Sequence, residues 1–175
     1  MHTTIGAHSG LRTLLLSLLL SSLPGVPVSL GAQAGVTLAG GPASWDLSGT
    51  GTGTTLALRW DRAVTDPTGT APLSLELGLG WFQDGQSGQG AVDLLLPEVG
   101  ARVGLPGPLD LGAGVGWAIG LEDRNGDDLA LWAALGADLP LGSGWSLRPE
   151  LRARSIDPWV GAVTDYSLGV RRALG

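Results

Sequence analysis

The amino-acid sequence predicts an all-β chain, closed as an eight-stranded antiparallel up-and-down transmembrane β-barrel after a cleavable signal peptide. Three observations predict it. Beyond residue 34 no stretch keeps a helical period, while eight segments of about ten residues show alternation or β-rich character. One parity of these segments is almost free of charge, and the other is a run of Gly and Ala with a few Arg, Asp and Glu. The charged fraction is 15%, against roughly a quarter or more for an ordinary soluble surface.

The leader comes first. Arg12 supplies a positive n-region, "LLLSLLLSSL" (14–23) an apolar h-region, Pro24 and Pro27 break it, and Ala32-Gln33-Ala34 fits the small-residue cleavage rule. The apolar run is too short for a spanning helix, which needs about 20 residues. The expected organisation is therefore a signal peptide over 1–34 and a barrel domain over 35–175. Cleavage would leave nine Arg against sixteen Asp and Glu, a net charge of -7, and would remove His2 and His8.

The expected strands span 35–45, 53–63, 71–82, 92–104, 109–120, 128–139, 145–155 and 162–174. The third contains "LSLELGLGW", in which Leu73, Leu75, Leu77, Leu79 and Trp81 oppose Ser74, Glu76, Gly78 and Gly80. In the fifth, Leu109, Leu111, Ala113, Val115, Trp117 and Ile119 oppose Asp110, Gly112, Gly114, Gly116, Ala118 and Gly120. In the seventh, Trp145, Leu147, Pro149, Leu151 and Ala153 oppose Ser146, Arg148, Glu150, Arg152 and Arg154. Gly weakens a strand, so a soluble sandwich would put longer polar residues on its wet face. A Gly-rich face suits the bore of an eight-stranded barrel, which side chains just fill. The leucine face then meets lipid, where Arg at mid-bilayer costs about 2–4 kcal/mol.

The connections alternate. "DLSGTG", "QDGQSGQGA", "LEDRNGDD" and "IDPWVG" would be the outer loops, and "VTDPTGTA", "LPGPL" and "PLGSG" the inner turns. Trp60 and Trp145 fall at the inner ends of their strands, and Trp45, Trp81, Trp117 and Trp159 towards the outer ends. Two interfacial aromatic girdles are expected from them. Trp132 has lumen parity. Arg59, Glu76, Glu98, Arg102, Arg148, Glu150 and Arg152 share lumen parity near mid-strand and form an expected charge network. Buried charges must be paired, so the network reads as a salt-bridged plug rather than an ion path.

From this pattern, residues 35–175 resemble the small bacterial outer-membrane barrel proteins, the OmpX-like group and the membrane domain of OmpA. The last strand, with Tyr166, Leu168, Val170 and Leu174 on one parity, looks like that family's C-terminal assembly signal, although the chain ends Leu174-Gly175 where the family has an aromatic residue. The resemblance implies residence in the bacterial outer membrane of a Gram-negative-type envelope. It also implies outer-membrane lipid and the outer-membrane assembly machinery as partners, and a monomer.

Chemistry is sparse. The mature segment would hold no His, Cys or Lys, so a general base or activated nucleophile is missing and no enzyme is expected. No cofactor and no metal is expected. "DRNGDD" places Asp123, Asn125 and Asp127 at alternate positions, but it lacks the Gly and Glu of a calcium loop and reads as an acidic turn, with weak cation binding as the alternative. The net charge of -6 argues against nucleic acid. The reading is a non-enzymatic outer-membrane barrel with a structural, surface-interaction or minor permeability role. The competing reading is a secreted soluble β-sandwich binding module.

Overall fold

The computed structural model describes residues 33–46, 50–65, 71–84, 93–121, 128–156 and 161–174. The strands are β1 (Ala34–Asp46), β2 (Thr50–Ala63), β3 (Leu73–Asp84), β4 (Asp93–Gly104), β5 (Leu109–Gly120), β6 (Asp128–Ala137), β7 (Leu139–Gly142), β8 (Trp145–Ile156) and β9 (Gly161–Leu174). Sequence neighbours pair antiparallel throughout except β6 and β7, which both pair with β8, and β1 also pairs with β9. β6 and β7 keep one register against β8 as far as Pro140, with a shift before Gly142, so they are two lengths of one barrel strand interrupted at Asp138. The expected single strand over 128–139 is corrected to that extent. The result is the closed eight-stranded antiparallel barrel that the period-two pattern predicts.

The bore follows from the register. From Val36 the ladder runs through Trp60, Leu77, Val99, Val115, Leu131, Ser155 and Ala162, and returns to β1 at Asp46. One circuit thus climbs from residue 36 to residue 46. With eight strands, that stagger tilts them roughly 40° from the axis and leaves an interior that side chains can fill.

Alternation decides the faces. Leu38, Leu58, Leu79, Val115, Leu131, Tyr166 and Leu168 are exposed on the outer wall, Leu38 by 64%. The residues between them are buried. A water-soluble protein does not show an exposed apolar band of this extent, and a barrel wall in lipid requires one. Leu79→Arg, at a site 46% exposed, is expected to cost about 2–4 kcal/mol of insertion free energy, whereas Leu79→Ala should insert almost normally. Yields of inserted protein in lipid vesicles measure this, and equal yields would refute the lipid face.

Three prolines stand inside strands. Pro42 pairs with Thr54 of β2, but the β1–β9 ladder lapses at Gly41 and Pro42. Pro97 pairs with Leu79 of β3, but the β4–β5 ladder lapses at Leu96 and Pro97. Pro149 pairs with Leu168 of β9, and the β6–β8 ladder stops short of it. Each proline turns its missing N–H toward the lapsed seam. At the β7–β8 turn, Gly142, Ser143 and Gly144 have φ of 95°, 52° and 76°, a left-handed run in which flanking glycines leave one strained residue.

The expected signal peptide lies outside the described residues apart from its last two positions, Gln33 and Ala34. β1 already begins at Ala34.

Candidate functional site

The lumen carries the chemistry, in layers along the barrel axis. The strand ends Asp46, Asp84, Gly120 and Ile156 lie at one end, here the loop end, and the strand ends Ala63, Gly104 and Gly142 at the other, the turn end. Nearest the turn end, Arg171 donates from Nε and Nη2 to Asp61 at 2.9 and 2.6 Å. Arg148 reaches Asp138 at 2.8 Å and Asp110 at 2.7 Å.

The middle layer is a continuous network. Arg102 on β4 donates to Glu76, to Asp110 at 2.5 Å and to Glu150 at 2.5 Å. Arg152 on β8 donates to Glu76 at 2.6 Å, to Glu150 at 2.9 Å and to Glu98. Arg154 donates to Glu98 at 2.6 Å and to Asp165. Arg59 is held by charge: its Nη1 lies 3.1 Å from Glu150, with no guanidinium nitrogen in hydrogen-bond geometry. The buried charged set is Arg59, Arg102, Arg148, Arg152 and Arg154 against Glu76, Glu98, Asp110, Glu150 and Asp165, equal in the two signs. Such parity lets charge sit in a low-dielectric bore, where any surplus would be uncompensated.

One aromatic ring lies within this network. The guanidinium of Arg152 lies 4.1 Å, and that of Arg102 5.9 Å, from the Trp132 ring centroid. Trp132 has space because the facing wall is glycine. A Cβ on Gly100 would come within 2.3 Å of the indole, and one on Gly112 or Gly114 within 3.0 or 2.8 Å. The Gly run of β5 is therefore the socket of a cation-stacking tryptophan.

Toward the loop end the lumen becomes apolar. Ala43, Trp45, Phe82, Leu94, Leu96, Ala118, Ala130, Ile156 and Val163 form one buried cluster. Trp45 and Phe82 meet edge-to-face with centroids 5.1 Å apart. All of these sit in the last turns of the wall before the loops, so a dry layer caps the charged one.

All seven charges expected in the lumen network are buried there. Asp110, Arg154 and Asp165 belong to it too. Strand parity was available for each, but they lie away from mid-strand or opposite the aromatic and apolar residues of β9. The placement of Trp45 is corrected. It is 7% exposed and packs inside, because β1 ("AGVTLAGGPASWD") is small on both faces and its parity is set by pairing. Trp60, Trp81, Trp117 and Trp145 keep outward parity, the first and last toward the turn end. Trp159, and the turn holding Asp123, Asn125 and Asp127, lie outside the described residues.

No family model matches the chain, and no curated protein matches it either. Solved structures do. The crystal structure of Neisserial surface protein A aligns with TM-score 0.57 at 16% identity, covering 81% of this chain and 96% of that one. The attachment invasion locus protein Ail of Yersinia pestis aligns with TM-score 0.53 at 12% identity, covering 83% and 100%. At these identities the likeness concerns fold. This chain has the fold of the small eight-stranded outer-membrane β-barrel proteins.

Proposed function

We propose that the protein is a monomeric, non-enzymatic barrel of the bacterial outer membrane that acts through its outer surfaces and does not conduct solutes. The double closure of the lumen carries this reading: a balanced charge network fills the middle and a packed aromatic and aliphatic layer caps it. An ion entering from the loop end would have to cross this mainly apolar layer, which does little to replace its water. Folds host many chemistries, so the non-enzymatic part rests on this chain's residues. Apart from His2 and His8 in the expected leader, it has no His, and it has no Cys or Lys.

With the buried charged set balanced, the net charge lies outside that set. The outer connections hold Glu122, Asp123, Asp127 and Asp157 against Arg124. Such loops repel polyanions and favour cationic partners.

Planar-bilayer recording tests the closure. The expected result is a quiet membrane after insertion. Large, steady steps of current from the unaltered protein would replace this reading with a channel.

A further inference from the structure

The described arginines divide sharply by face. Arg59, Arg102, Arg148, Arg152, Arg154 and Arg171 point inward, and every one has a carboxylate within ion-pair distance. Arg62 and Arg172 have the parity of the outer wall, and neither pairs with a carboxylate among the described residues. The wall around them is apolar. Charge placed there without an opposite charge on the protein calls for one from the surroundings.

The two are neighbours. Trp60 pairs with Val36, Val36 with Arg172, and Arg172 with Trp145, making one unbroken row across β2, β1, β9 and β8. Arg62 stands two residues beyond Trp60, paired with Ala34. Only β1 separates the two arginine-bearing strands, about 10 Å of sheet, and its outward residues there are Ala34 and Val36. The floor between them is therefore low, open to a headgroup that spans from Arg62 to Arg172. The Arg172 guanidinium lies 5.1 Å from the Trp145 ring centroid, and its Nη1 donates to the Ser143 carbonyl. This patch sits at the turn end, where Trp side chains mark the edge of the apolar band. A lipid-facing Arg costs little at that depth, and phosphate oxygens match the guanidinium fork.

We infer that Arg62 and Arg172, floored by Ala34 and Val36 and flanked by Trp60 and Trp145, bind the headgroup phosphate of a glycerophospholipid in the leaflet that meets the turn end, with preference for an anionic headgroup. The inference rests on the membrane reading above. An anionic lipid near two arginines should be enriched roughly tenfold over a zwitterionic one.

Protein purified in detergent would be placed in nanodiscs of phosphatidylcholine with a minor fraction of phosphatidylglycerol, and the retained lipid identified by native mass spectrometry. Phosphatidylglycerol is expected well above its bulk share, reduced by high salt and unaffected by millimolar inorganic phosphate. In Arg62→Gln/Arg172→Gln it should fall to the bulk share, while the heat-modifiable gel shift of a folded barrel persists. If that variant does not fold, the salt dependence of the unaltered protein decides. Retention at the bulk share, salt-independent enrichment, displacement by inorganic phosphate, or enrichment surviving in the folded double variant would each overturn the site. Failure to enter the nanodisc at all would overturn the membrane reading as well.

Discussion

Glu76→Gln combined with Glu98→Gln is expected to unfold the barrel at markedly lower denaturant than the unaltered protein. Glu98 accepts from Arg152 and Arg154, and Glu76 from Arg102 and Arg152. Gln keeps the shape of each side chain and removes its charge, so three guanidiniums lose compensation in a bore where Arg152 is 0% exposed. Breaking a buried pair while leaving one partner costs about 3–5 kcal/mol, and two acids are removed here. Urea titration in detergent, followed by the gel shift between folded and unfolded forms, measures the loss. An unchanged midpoint would mean that water already screens these charges, and the closure would then rest on the apolar layer alone.

The second large effect belongs to that layer. Phe82→Ala is expected to destabilise the barrel by about 3–5 kcal/mol, as for other buried aromatic residues. Phe82 is 1% exposed and supports Trp45. Its chain neighbour Trp81 faces outward, where lipid fills the space a truncation leaves, so Trp81→Ala should shift the same midpoint far less. Near-equal losses from these adjacent substitutions would contradict the assigned faces. Trp45→Ala should resemble Phe82→Ala, which separates its interior position from the interfacial one the sequence suggests.

The fold was legible because lipid and lumen impose unlike chemistry on alternate residues. The fourth strand expected over 92–104 is Asp93–Gly104, and the fifth, 109–120, is Leu109–Gly120. The inward charges were legible for the same reason. Their partners were not, since contacts such as Arg152 with Glu76 or Arg154 with Asp165 depend on register around the whole barrel. The apolar layer was hidden by β4, where Leu94, Leu95 and Leu96 are alike and period two carries no contrast. Trp45 was misplaced because Gly and Ala fill both faces of β1. Arg62 and Arg172 are far apart in the chain, and only the pairing of β1 with both β2 and β9 brings their strands to the two sides of one strand.

The prolines give the wall a grain. With rungs missing from the β1–β9, β4–β5 and β6–β8 seams, the cylinder is three panels: β1–β4, β5–β7 and β8–β9. Within a panel every seam joins strands adjacent in the chain. Between panels the seams are the weaker ones under tension. A tearing force applied to the carboxyl end therefore meets its lowest resistance on both flanks of β8–β9 together, and that hairpin would come away as a unit, leaving an open trough of six strands whose exposed edges can zip shut again.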